Sequence, residues 1–275
     1  HRANRLRSLE KNEVVSAEKN NSNDVLVQVT AEDWAGNISS VSLPLSIDIT
    51  KPTVTAAYDN NDARHEKYFN RQRDMTITVQ DRNFNENDFT LPMQIGKDKV
   101  TVTMQDIRDG KYGLTMVSDR VDSEKNTSSN AYTDDRTNTY VIGFGHADNS
   151  DEDFQVSANV IDGAGNTCED IAFAKGTNAP TIFTIDKIAP LLTIAASSNG
   201  TAISLSKDKK APLYTRSDVT LTTIVDERNF DTNGTDLDLT QTDYNRKELS
   251  VYEKPDLTKG WKTDGNTHTL ELPVF

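Results

Sequence analysis

Three short motifs occur twice along this chain, in the same order each time, and that repetition limits what it can fold into. Asp33-Trp34-Ala35-Gly36-Asn37 returns as Asp162-Gly163-Ala164-Gly165-Asn166. The segment Ile47-Asp48-Ile49-Thr50-Lys51-Pro52 returns as Ile185-Asp186-Lys187-Ile188-Ala189-Pro190. The run from Met75 to Phe84, ending Arg82-Asn83-Phe84, returns as Leu221 to Phe230, ending Arg228-Asn229-Phe230. A chain that repeats itself at this distance builds similar modules in series, not one continuous core.

Each repeated piece reads as β-structure. Val25, Val27 and Val29 alternate with polar positions, as do Phe154, Val156, Ala158 and Val160. Val41, Leu43, Leu45 and Ile47 form another run of period two, and so do Met75, Ile77 and Val79. Period two places these side chains on one face of a strand. Gly36 with Asn37, and Gly165 with Asn166, are the residue types that tolerate the positive φ of a tight hairpin. Pro52 and Pro190 fix φ and remove a donor where one module would end and the next begin. No segment keeps a helical period over ten residues. The expected fold is all-β: tandem immunoglobulin-like antiparallel β-sandwiches.

The junctions divide the chain into residues 1–50, the C-terminal part of a first module; 51–188, a complete module; and 189–275, the opening of a third. The complete module exceeds the roughly 100 residues of such a sandwich. The polar stretch 106–136 accounts for the excess and is expected to be a long insertion. The first module lacks its early strands and the third stops ahead of any Ala-Gly-Asn hairpin. One expectation is therefore that hairpin 25–47 completes the open third sandwich of a neighbouring chain.

The hairpin, junction and Arg-Asn-Phe strand together resemble the Ig-like repeats of large surface proteins in Gram-positive anaerobes. The resemblance covers most of 25–95 and 154–231. It implies an extracellular, cell-surface or secreted setting, neighbouring Ig-like repeats as partners, and a stalk, spacer or adhesive role. The resemblance carries no ligand; contact with host glycans or glycoproteins through the inserted loop is a separate expectation. Two rival readings are a spacer or accessory region of a large secreted carbohydrate-active enzyme, and a dedicated binder of a host protein such as immunoglobulin.

Charge narrows the partners. With 43 acidic and 30 basic residues the formal charge is -13, which repels phosphate backbones and argues against nucleic acid as a partner. No run has the length of an apolar membrane span, so direct membrane insertion is not expected. One cysteine, Cys168, excludes an internal disulfide.

Catalytic signatures are missing: no G-x-S-x-G elbow, no H-E-x-x-H, no phosphate-binding glycine loop, no cysteine pair. The chain is expected not to be an enzyme. His1, His65, His146 and His268 share no repeat position and read as exposed loop residues. No cofactor is expected, with calcium as the one candidate. Asp148, Asp151 and Asp153 form one oxygen-rich cluster; Asp231, Asn233, Asp236 and Asp238 form another beside a glycine bend. Arg82, Asn83, Phe84, Arg228, Asn229 and Phe230 are expected to be structural, because a device needed by the fold must be rebuilt in every module. In that reading the phenylalanine plugs the sandwich and the polar pair satisfies loop backbone. Trp34, which stands where the second hairpin has Gly163, is expected to pack against the next module.

Overall fold

The computed structural model describes residues 14–122, 136–173, 181–205, 216–237 and 256–272. The chain divides into two compact units, His1–Lys187 and Ile188–Phe275. Among the described residues, no helix is long and apolar enough to cross a membrane.

The first unit opens with a two-stranded hairpin, β1 (Ser22–Glu32) and β2 (Ile38–Ile47). Its register pairs Val25 with Leu45, Val27 with Leu43 and Val29 with Val41, so the apolar alternations of both strands fall on one face. That face is poorly covered, with Val29, Val41 and Leu43 all more than half exposed.

A complete β-sandwich follows. Its strands are β3 (Thr53–Tyr58), β4 (Tyr68–Phe69), β5 (Arg73–Asp81), β6 (Phe84–Ile95), β7 (Asp98–Thr103), β8 (Leu114–Asp122) and β9 (Arg136–Phe144). Then come β10 (Asp151–Val156), β11 (Asn159–Asp162), β12 (Thr167–Cys168), β13 (Ala172–Phe173) and β14 (Ile182–Asp186). One sheet has the order β13-β3-β5-β9-β8; the other runs β12-β11-β6-β10-β14-β4, with β7 paired to β6. Most pairings are antiparallel, as expected, and two short ones are parallel, β13 with β3 and β14 with β4. Both parallel pairs are two residues long and set short strands at a sheet edge.

The inward alternation of the two sheets makes one core. Met75, Ile77 and Val79 of β5 meet Phe89, Leu91, Phe154, Val160, Phe183 and Ile185 from the opposite sheet, all buried. Phe144 and Phe183 pack edge to face, as do Phe144 and Phe154, with centroids 5.4 and 5.2 Å apart. Such pairs add to what area burial alone contributes.

The polar stretch 106–136 is only partly an insertion. Its beginning belongs to a short helix, α1 (Met104–Arg108), closed by a capping box between Thr103 and Asp106. Met104 and Ile107 are buried, which anchors the helix on the core. Next comes β8, the edge strand on β9, with Leu114 buried. Residues 123–135 lie outside the described ones.

The second unit contains β15 (Leu191–Ser198), β16 (Thr201–Ile203), β17 (Thr220–Asp226), β18 (Lys262–Asp264) and β19 (Thr267–Glu271), in the order β16-β15-β17-β19-β18. It opens with the pairing that opens the sandwich. Val54 opposite Val79 and Ala56 opposite Ile77 become Leu192 opposite Val225 and Ile194 opposite Thr223. The repeated motifs thus reproduce a register and not merely a composition. Among its described residues the core cluster is Leu257, Leu270 and Leu272, with Leu221, Leu237 and Trp261 packed on them.

Candidate functional site

The recurring motifs meet in space where the linker after β2 enters the sandwich. Asp48 follows β2, Asp81 ends β5, and Asp162 ends β11; all three are buried, with a carboxylate oxygen of each within 4.8 Å of the others. Each has a local reason to be there. Asp162 folds its own turn, its Oδ1 accepting from the Ala164 and Asn166 amides at 2.9 and 2.8 Å while Oδ2 accepts from Asn166 Nδ2 at 2.8 Å. Gly165 takes the φ of +88° that this turn needs. Asp81 accepts the Asn83 amide at 2.7 Å and so shapes the corner after β5.

Asp48 is the hub. Its side chain is fully buried and faces Arg82, whose NH2 lies 3.1 Å from Oδ1. The Thr50 amide donates to the same oxygen at 2.9 Å, and Asn83 Nδ2 donates to the other. Asn166 Nδ2 donates to the Asp48 carbonyl at 3.1 Å. Arg82 also reaches back to the preceding hairpin, donating to Asn21 Oδ1 at 2.9 Å and to the Ile47 carbonyl at 3.3 Å. Asn83 exchanges side-chain hydrogen bonds with Asn23, which in turn accepts from the Ser46 hydroxyl at 2.6 Å. Phe84 turns inward, buried, and meets Phe89 edge to face. The Arg-Asn-Phe motif therefore ties hairpin, linker and sandwich at one point.

Chemically this is a charge-assisted clamp. Charge-assisted hydrogen bonds are the stronger class, and carboxylates taken out of water must be matched by donors. Three clustered carboxylates are also the ligand type that calcium prefers. Here the oxygens already accept from amides and a guanidinium, donors that an entering cation would have to displace.

The hairpin tip repeats the Asp162 turn in the open. Asp33 accepts from the Ala35 and Asn37 amides and from Asn37 Nδ2, at 2.8, 2.9 and 2.7 Å, and Gly36 has a φ of +83°. The hydrogen bond from the Asn37 side chain, followed by that from its backbone, lowers the Asp33 carboxyl below its usual value. Trp34 at this tip is fully exposed among the described residues, since ten-residue strands hold it about 30 Å from the linker. In the second unit Glu227 stands where Asp81 stands, buried, and accepts the Asn229 amide at 2.7 Å. Phe230 packs on Trp261 and His268, each ring centroid 4.7 Å away.

The two proposed calcium clusters behave differently. Asp148 lies in an exposed turn, while Asp151 and Asp153 open β10, where Asp153 accepts from the Thr184 hydroxyl at 2.6 Å. Asp231 caps a 3-10 turn, accepting from Asn233; Asp236 is exposed and Asp238 lies outside the described residues. Among the described residues, the carboxylate group at metal-bridging distance is Asp48, Asp81 and Asp162. These three were legible in one respect only: an acid recurs at the same place in each motif.

His146 is not a free loop residue, since its Nε2 lies 2.6 Å from Asp74. His268 sits in β19, with Nε2 2.9 Å from the Glu227 carbonyl.

Comparison with known proteins adds little. No protein-family model matches the chain, and no curated protein does. Among solved structures, the C-terminal domain of the AgI/II polypeptide BspA of Streptococcus agalactiae aligns over 80% of this chain and 83% of that one, at 11% identity and a TM-score of 0.27. A score that low does not mark a shared fold.

Proposed function

We propose that this chain is a pair of non-catalytic, immunoglobulin-like modules from a bacterial extracellular surface protein, serving as stalk and adhesive units. One observation carries the reading: the polar residues that recur from motif to motif are spent on fastening a linker. Arg82, Asn83, Asp48, Asp162 and Asn166 bond to one another, to the linker and to the preceding hairpin. In the first unit these repeated residues fasten hairpin and linker to the sandwich, and in this reading recognition falls to what the repeats do not share. The unshared candidates are the polar stretch 106–136 and the exposed Trp34 tip, since loops on a rigid sandwich commonly carry binding. The ligand class this favours is a host glycan or glycoprotein, where an exposed indole can stack on a sugar face.

The test is a binding screen of the chain against immobilised host glycoproteins, immunoglobulins and a glycan panel, with and without calcium. Saturable binding that Trp34→Ala or deletion of 123–135 abolishes, with the fold retained, supports the adhesive module. A blank across the panel removes adhesion and leaves the spacer role. Selective saturation on immunoglobulin would support a dedicated host-protein binder instead.

A further inference from the structure

The complete sandwich takes in the chain at one end and releases it at the other. Its entry strand β3 begins at Thr53, opposite Gln80 and beside the Asp81 end of β5. Its exit strand β14 ends at Asp186, opposite Asp151, which lies beyond the Ile95 end of β6. A pull on the chain from either side of the sandwich therefore runs along β3 and β14, not across them.

Both parallel pairings of the sandwich fall on these two strands. β13, the strand ahead of the exit strand in sequence, pairs with the entry strand, Ala172 beside Thr55 and Phe173 beside Ala56. β4, the strand after the entry strand, pairs with the exit strand, Tyr68 beside Thr184 and Phe69 beside Ile185. Each loaded strand is thus tied to a sequence neighbour of the other. Rings reinforce both ties. Phe173 stacks on Tyr58 of β3 with centroids 5.9 Å apart, and Phe69 meets Phe183 of β14 edge to face at 6.1 Å. The Thr184 amide donates to the Lys67 carbonyl at 2.9 Å. Just past β14, Lys187 is pinned as well. Its amide donates to the Ser150 carbonyl at 2.8 Å and its Nζ to the Ala147 carbonyl at 2.9 Å.

Geometry sets how such pairs fail. Parallel neighbours drawn toward opposite ends slide along their common axis, so all the bonds between them carry load together. Neighbours drawn apart from one end open bond by bond. Resistance to force follows the barrier to unfolding, so the direction of loading matters at constant equilibrium stability. We infer that the complete sandwich is a load-bearing unit, held in shear by the β3–β13 and β4–β14 ties. It deepens the stalk half of the function proposed above and rests on it for its use, while adhesion plays no part in it.

Optical-tweezers unfolding of the full chain tests this, with Cys168→Ser and DNA handles on two introduced cysteines. Lys51→Cys with Ala189→Cys pulls along β3 and β14. Lys51→Cys with Ala164→Cys pulls from one end, because Ala164 sits in the turn that Asn166 fastens to the Asp48 carbonyl. All three sites are exposed, and circular dichroism checks the fold of each variant. At equal pulling speed the first pair should need several-fold more force than the second. Phe173→Ala, which deletes the ring stacked on Tyr58, should lower the force of the first pair more than that of the second. Equal forces in the two directions, or no loss in the first on Phe173→Ala, would overturn the proposal. The comparison of directions leaves the core unaltered, so it stands even if Phe173→Ala does not fold. A chain that resists end-to-end load yet binds nothing in the screen upholds this inference and removes adhesion. One that binds but yields equally in both directions does the reverse.

Discussion

Arg73 is the residue whose environment is most unusual. It is fully buried, its guanidinium 3.6 Å from the Tyr58 ring centroid and 4.6 Å from those of Phe69 and Phe183. Nε donates to the Asn60 carbonyl at 2.7 Å and NH2 to Asn61 Oδ1 at 3.0 Å. A buried cation needs such partners, and removing it strands them. Arg73→Met should cost about 3 kcal/mol in chemical denaturation, through the lost donors and the space left among three rings. Tyr58→Phe keeps the ring under the guanidinium and deletes a buried hydroxyl without a hydrogen-bond partner. It should be neutral or stabilising by up to about 1 kcal/mol. The same group sets a pH limit. Burial pushes the Tyr58 phenol from 10.0 up to about 12, with Arg73 pulling the other way, and burial raises Tyr140 further still. Both keep a proton in the folded state that the unfolded chain releases near pH 10, so their contribution to stability is constant below pH 10 and falls above it. Burial also lowers Arg73 to about 10, which acts oppositely over the same range and offsets Tyr58. Tyr140 then decides the balance. Tyrosinate absorbance and circular dichroism should change together at high pH, and Tyr140→Phe should move that transition upward.

Among the elements, strands were easier to read than their joints. Period-two runs such as Met75, Ile77 and Val79 announce both strand and buried face, because the pleat imposes that period directly. The hairpin turns were equally legible, since only a few residue types suit their backbone. The edge strand β8 was not: its sequence, Leu-Thr-Met-Val-Ser-Asp-Arg-Val-Asp, is polar enough to pass for a loop because one face meets water. The clamp was half legible. Recurrence marked Arg82 and Asn83 as structural, but sequence spacing cannot show that Asp48, Asp81 and Asp162 converge from three strand ends. What the clamp does can be measured. Arg82→Ala would leave the Asp48 carboxylate buried with amide donors alone, a loss of about 3 kcal/mol. Its local signature should be faster amide exchange through Ser22–Glu32, with the core strand β5 still protected. Asp48→Ala should speed the same amides. The double variant should cost less than the sum of the two, because both single changes break one interaction.

The whole molecule is two units of unequal means. The first shares one core between two sheets, with aromatic pairs running from Tyr58 through Phe183 and Phe144 to Phe154. The second repeats the opening strand register; among its described residues Leu257, Leu270 and Leu272 cluster, Ala196 and Val225 are also buried, and Leu191, Leu192 and Ile194 are exposed. Hydrophobic stabilisation scales with apolar area removed from water, at about 25 cal/mol per Å², so equal sequence motifs do not confer equal stability. The chain divides at Lys187 and Ile188 into two compact units, and the expectation is that the second can open while the first stays folded. Scanning calorimetry on dilute protein should accordingly show two transitions, the lower belonging to the second unit. Leu270→Ala removes a buried side chain from that unit and should lower the first transition alone, by about 3 kcal/mol in local stability. Phe183→Ala, in the larger core, should lower only the second. A single transition that both variants shift together would mean that the units unfold as one.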